Sequence, residues 1–289
     1  MGDAMMGDPK SVARTFSARQ TMEGAGVRLH RAFGHSEIPL FDPFLMFDDF
    51  RGDDPADYLA GFPWHPHRGI ETVTYMLEGR VEHVDSMGHA GDVPAGGVQW
   101  MTAGSGIIHQ EMPKPVNGRM GGFQLWVNLP KSHKMMNPRY QEIAADEIPQ
   151  VALPGGASVR VICGEVAGVS GPVRDLMADP EYLDVMLEPG SRFSHPVKDD
   201  HMAAAYVFGG AGRFHPDARD VYPNRTMILF GEGGSEISVQ ALDEGCRFLF
   251  FSGIPLGEPI AWGGPIVMNT QDEVRQALTE YRMGTFIRG

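Results

Sequence analysis

Two pairs of metal-binding side chains, each split by a single residue, constrain this chain more than any other feature: His65-Pro66-His67 and, further along, His109-Gln110-Glu111. Residues i and i+2 project to the same face of an extended strand, so both pairs can turn inward if both segments are β. Two such strands facing each other in a barrel would set three imidazoles and one carboxylate around a single point. Part of an octahedral shell would be left for water or substrate. An open coordination position is what separates a reactive metal from a structural one.

The rest of the chain agrees with a β reading. Apolar segments are short and bounded by turn residues drawn from 37 Gly and 22 Pro, which favours many short strands over long helices. At 289 residues the chain exceeds the usual single-core range, so two domains of ordinary size are expected. Residues 1–25 are polar and read as a frayed arm or a segment packed on the outside. Residues 70–77 are rich in β-branched and aromatic types, Glu78-Gly79-Arg80 supplies a turn, and residues 81–84 follow; this predicts a hairpin just after the first ligand pair. Over residues 121–129, Phe123, Leu125 and Val127 alternate with Gln124, Trp126 and Asn128, so one face is core and the other meets a cavity or a neighbouring sheet.

Residues 130–141 have no period and two prolines, and read as a linker. This gives an N-terminal metal-binding domain over residues 1–130 and a C-terminal domain without metal ligands over residues 131–289. In the latter, segments 158–163, 182–187, 203–208, 226–230, 235–240 and 246–251 read as strands of a second barrel or sandwich. Thr270-Gln271-Asp272-Glu273 fits a capping box ahead of Val274, Leu278 and Tyr281, which predicts a short amphipathic helix packed back across the first domain.

Charge narrows the partners. The net charge is −13, with 10 basic and 16 acidic side chains up to residue 130 and 14 and 21 after it, and no Lys/Arg cluster forms the basic stripe that direct nucleic-acid binding requires. Any role at DNA would run through a protein partner. The two cysteines, Cys163 and Cys246, the lack of an apolar secretory core at the chain start and the absence of a membrane-length apolar run point to the cytoplasm. The Asn224 sequon is then idle. Asp48, Asp49, Asp53, Asp54 and Asp57 lack calcium-loop spacing and read as a solvated loop; Gly104-Ser105-Gly106 reaches His109 where a dinucleotide loop needs Gly.

The ligand pairs sit in a recognisable setting. F-D-P-F-L-M-F-D-D-F at residues 41–50, F-P-W-H-P-H-R-G-I-E-T-V-T-Y-M-L-E-G at 62–79, V-Q-W-M-T-A-G-S-G-I-I-H-Q-E-M-P at 98–113 and Q-L-W-V-N-L at 124–129 together closely resemble the pirin family of the cupin superfamily. The likeness is dense over residues 26–130 and thin afterwards. It departs from the family at Gly97, where an acidic residue is usual. The resemblance implies an all-β bicupin: two stacked β-barrels with one mononuclear iron in the first, held by His65, His67, His109 and Glu111. Phe62, Arg68, Val81, Gln124 and Trp126 are the pocket wall by the same analogy, with plain core packing as the alternative for the aromatics.

Three imidazoles and a carboxylate without thiolate suit Fe(II), Mn(II), Ni(II), Cu(II) or Zn(II); affinity order favours copper, and the family resemblance favours Fe(II). Glu111 is either the fourth ligand or a hydrogen-bond partner of a metal-bound water. His83 and His89 are candidates for supporting contacts, and His30, His35, His133, His195, His201 and His215 read as ordinary polar side chains. The resemblance further implies a quercetin 2,3-dioxygenase-like activity on a flavonol and O2, in which Glu111 accepts the 3-hydroxyl proton. It also implies the alternative of an interaction protein whose metal state controls binding to a transcription factor or a metabolic enzyme. A zinc-dependent sugar-phosphate isomerase of cupin type is disfavoured, because no Lys/Arg cluster is present for a phosphate.

Overall fold

The structure, a computed structural model, describes residues 7–288. Strands dominate, and Gln271–Arg282 is the one α-helix among the described residues. None of the helices is long and apolar enough to cross a membrane. By contacts the chain forms two compact units: one from Arg19–Glu147 and the stretch from Leu256 onward, the other from the stretch up to Ala18 and Ile148–Pro255. The expected domains, 1–130 and 131–289, differ from these units because both ends of the chain cross over. Val12–Ser17 is no frayed arm: it pairs antiparallel with Thr226–Phe230.

The unit that carries the ligand pairs has two antiparallel sheets. One runs in the order Arg139–Ile143, Val98–Thr102, Ile70–Glu78, Gly121–Asn128, Phe44–Asp49, Val27–Phe33, Arg19–Glu23; the other runs Phe62–His67, Ile107–Lys114, Arg80–Asp85, Ala90–Pro94. Their side chains meet in a shared core, with Val27, Leu29 and Met76 from the first and Val81 and Val93 from the second. Pairing stops at edge strands, so these are open sheets and not the closed barrels expected. The arrangement is cupin-like without a continuous ring of hydrogen bonds.

Two local expectations are corrected here. Residues 70–78 and 80–85 are both strands, but they do not form a hairpin: Ile70–Glu78 pairs with Gly121–Asn128 and Val98–Thr102, whereas Arg80–Asp85 pairs with Ile107–Lys114 and Ala90–Pro94. The chain changes sheets at Gly79, whose φ of +70° and whose close neighbours, the Arg119 and Lys114 carbonyl oxygens at 3.0 and 3.1 Å from an added Cβ, leave room only for glycine. The supposed linker is also anchored. Arg139–Ile143 is an edge strand, and Lys134 is buried with its ammonium donating to Gly69 O, Asn128 Oδ1 and Val267 O at 2.9, 2.6 and 3.0 Å.

After the last long strand, the chain adds a hairpin, Ala261–Gly263 with Ile266–Met268, and then the helix. Thr270 and Glu273 form the expected capping box. Val274 and Ala277 are buried against Ala261, Ile266, Met268 and Phe286, with Leu278 and Ile108 packed alongside. The helix thus packs in the ligand-bearing unit, as its apolar stripe required, although Tyr281 is more exposed than the stripe suggested.

The other unit is a nine-stranded antiparallel sheet. Segments 235–240 and 246–251 are one long strand, Glu236–Gly253. Its core is aliphatic and aromatic, including Val159, Leu183, Val185, Phe248 and Phe250. His195 and His201, read as ordinary polar side chains, are buried and partnered: His195 Nε2 lies 3.3 Å from Glu181 Oε1, and His201 Nδ1 lies 3.2 Å from Ser252 Oγ, which donates to Glu181 Oε2.

Candidate metal centre

The two ligand strands are hydrogen-bonded neighbours, with His65 directly opposite His109 and His67 opposite Ile107. This corrects the expectation of strands facing across a barrel. Direct cross-strand partners hold their Cβ atoms about 4.5–5.5 Å apart, so adjacency alone brings the imidazoles together. Ring centroids lie 4.4 Å apart for His65 and His109, 4.8 Å for His65 and His67, and 5.1 Å for His67 and His109. The three nitrogens offered for ligation all fall within 4.8 Å of one another. Glu111 shares the face of His109, but the register slips between them, so Glu111 pairs with Phe62 and lies outside this tight group.

The donor set fits a divalent cation. His65 Nδ1 sits 2.8 Å from Pro63 O and His67 Nδ1 3.2 Å from Pro265 O. A carbonyl oxygen only accepts, so each Nδ1 carries the ring proton and each Nε2 presents a bare lone pair. These two bare nitrogens stand 3.0 Å apart. Ligands about 2.1 Å from one ion in octahedral geometry are separated by roughly that distance when adjacent. His109 adds a second sign: both of its ring nitrogens are buried with no hydrogen-bond partner, a costly state that a bound cation relieves. Burial lowers the pKa of His65, and burial together with the neighbouring imidazoles holds His67 and His109 well below the ordinary range. All three are therefore neutral and able to ligate near pH 7.

Two of these rings, His65 and His67, line a cavity of about 600 Å³. Phe62, Gln124 and Trp126 line it, with His65, His67 and Glu111; Val81 instead lines a small neighbouring recess of about 30 Å³ that Glu111 also borders. Arg68 does not line either space: it is buried, and its guanidinium bonds to Ser105 O, Glu280 and Phe286 O. Trp126 meets His67 edge-on at 5.2 Å and stacks on Trp262 at 5.6 Å. Burial pushes the Glu111 carboxyl up to about 7, against a hydrogen bond from Thr74 Oγ1 at 3.3 Å.

Two neighbouring histidines have other partners. His83 lies opposite Glu111 in register but sets its Nε2 2.7 Å from Glu142 Oε1, and His89 Nδ1 sits 2.9 Å from Asp85 Oδ2. The acidic run divides too. Asp48 and Asp49 are buried in a strand, forked by Arg31 and Arg51 respectively, while Asp53 and Asp54 are exposed. Sequence reasoning missed Trp262 and Pro265, which come from a hairpin almost 200 residues downstream with no local signal beyond a Gly-Pro turn.

Residues 26–127 match the sequence profile described as Pirin, and residues 182–287 match that of the Pirin C-terminal cupin domain. The chain belongs to the pirin family. Among curated pirin relatives, a pirin-like protein of Caulobacter vibrioides is 46% identical over 96% of this chain and 99% of its own length. Human pirin is 41% identical over 96% of this chain and 94% of its own. Among solved structures, a quercetin 2,3-dioxygenase from Acinetobacter baumannii superposes with a TM-score of 0.88 at 33% identity, covering 96% of this chain and 98% of that one. The likeness spans both compact units, well past the dense motif region at residues 26–130.

Proposed function

We propose that this pirin-family chain is a metal-dependent dioxygenase that opens flavonols such as quercetin, with Fe(II) as its metal and Glu111 as both ligand and proton acceptor. The observation that carries the reading is the pair of bare His65 and His67 nitrogens 3.0 Å apart in the wall of a cavity that Phe62, Trp126 and Trp262 also line, with the unpartnered His109 beside them. A metal held by His65, His67, His109 and Glu111 would supply the Lewis acidity and redox chemistry that bring a chelating flavonol and O2 together.

The cavity volume, about 600 Å³, lies within the range of small-molecule sites. Among the described residues lining it, Arg31 is the one Arg or Lys, and its charge is spent on Asp48 and Glu23. No cation is left for a phosphate or a carboxylate, which argues against a sugar phosphate and for an uncharged planar ligand. Trp126 and Trp262 offer that ligand ring faces. The flavonol 3-hydroxyl must lose a proton before the heterocycle opens and one carbon leaves as carbon monoxide. The buried Glu111 carboxylate, held by one hydrogen bond from Thr74 Oγ1, would take that proton on leaving the metal.

Absorbance loss of quercetin under air and under nitrogen tests this. Loss is expected in air alone, and Glu111→Gln should lower kcat by roughly 100-fold with a smaller change in KM. Equal loss in both gases, or unchanged turnover in the variant, overturns the assignment. Full metal loading without any turnover would favour the alternative, a protein whose metal state governs binding to a partner.

A further inference from the structure

The segment that carries His67 does not end at the metal centre. Arg68 bridges Ile266 of the C-terminal hairpin, and Val267 N donates to Arg68 O at 3.1 Å. An added Cβ at Gly69 would lie 2.0 Å from Val267 O, so the two backbones are in direct contact. The same hairpin supplies Pro265 O, the acceptor for His67 Nδ1. The proton on one imidazole nitrogen is thus placed by a residue from the far end of the chain.

The Arg68 guanidinium ties the remaining pieces. Its Nε donates to Ser105 O at 2.6 Å, one terminal nitrogen to Glu280 Oε2 at 2.6 Å and the other to Phe286 O at 2.8 Å. Its Cζ lies 4.2 Å from the centroid of the Phe286 ring. Ser105 precedes the strand that bears His109, and Glu280 lies on the helix. One buried cation therefore holds the lead-in to the His109 strand, the end of the His67 strand and the C-terminal helix with its tail. Phe286 closes the arrangement over Gly106, where an added Cβ would come 2.9 Å from its ring. A lysine could not reproduce this, because a point charge lacks the fixed planar fork.

We propose that residues 265–286 position the metal centre: Pro265 selects the His67 tautomer, and the Arg68, Glu280 and Phe286 clamp fixes the His67 and His109 strands relative to each other. Arg68, Glu280 and Phe286 are positioning residues in this account, since none of them lines the cavity. The inference rests on the metal reading of the three imidazoles for its consequence, but the tautomer itself exists without a metal. Partners of this kind orient a ligand ring and raise its competence, and their loss typically costs 10- to 100-fold in metal affinity.

The test uses the full chain as wild type, Glu280→Ala, Glu280→Gln and Phe286→Leu, each checked by circular dichroism and melting. Nitrogen-15 NMR of the metal-free protein reads the His67 tautomer, and Co(II) titration with visible absorption reads affinity and site symmetry. Wild type should show the proton on Nδ1. Glu280→Ala and Phe286→Leu should mix the tautomers, weaken Co(II) binding roughly 10- to 100-fold and alter the spectrum, with Glu280→Gln recovering most of each. A single Nδ1–H tautomer together with native Co(II) affinity in folded Glu280→Ala and Phe286→Leu overturns the proposal. A wild type that binds no Co(II) yet shows the tautomer shift in Glu280→Ala would instead remove the metal reading and leave the clamp standing.

Discussion

Glu111 carries the most testable part of the proposed chemistry, because burial brings its carboxyl close to neutrality beside the three imidazoles. Burial raises its carboxyl to about 7, so it is protonated below that pH and ionised above it. Burial lowers His65, and burial with the neighbouring imidazoles holds His67 and His109 well below the ordinary range, so all three move away from charge at neutrality. If Glu111 is a ligand, metal uptake must expel its proton, so more protons are released per metal at pH 6 than at pH 8 and affinity rises as pH climbs through about 7. Titration calorimetry in two buffers of different ionisation enthalpy counts those protons, and a count near zero at pH 6 would place Glu111 outside the coordination shell. At this scale the i, i+2 pairs were legible, since a strand repeats every two residues. Arg68 was not. It follows His67 directly, but its direction is set by Ser105, Glu280 and Phe286, of which two lie more than 200 residues away.

Elements were read well where a period reported burial and poorly where pairing decided the outcome. Phe123, Leu125 and Val127 are fully buried while Gln124 and Trp126 face the cavity, as their alternation required. The hairpin expected around Gly79 failed because a turn signal says that the chain reverses, not which strand it then meets. The segment expected to be a linker shows the same limit: a run with prolines and charges looks unstructured until Lys134 is seen inside a cage of three acceptors. Lys134→Met keeps the length but removes the donor that the three acceptors share, leaving Gly69 O only the longer bond from Leu129 N at 3.4 Å. It should cost about 3 kcal/mol, read as a lower urea midpoint at unchanged slope. Since Gly69 O and Val267 O are two of the acceptors, the ligand strand loses support on both sides, and an unchanged midpoint would show that the cage contributes little.

At the scale of the molecule, the single cluster of three close ligand nitrogens among the described residues predicts about one metal per chain. His195→Ala and His201→Ala should lower stability, because each leaves a partner buried in the other unit, yet elemental analysis should find their metal content equal to wild type. Loss of metal in either variant, with the fold intact, would require a second site. Strand content, the family and the three histidines that cluster were all written in the chain itself, because strand periodicity, turn chemistry and a dense motif act over a few residues at a time. Tertiary structure alone decided that the ligand strands are neighbours, that the sheets stay open, that both chain ends exchange units, and that Trp262 and Pro265 reach the candidate metal centre. Each of these depends on which distant surfaces bury one another, and that free energy is summed over the folded chain and is absent from any short window of it.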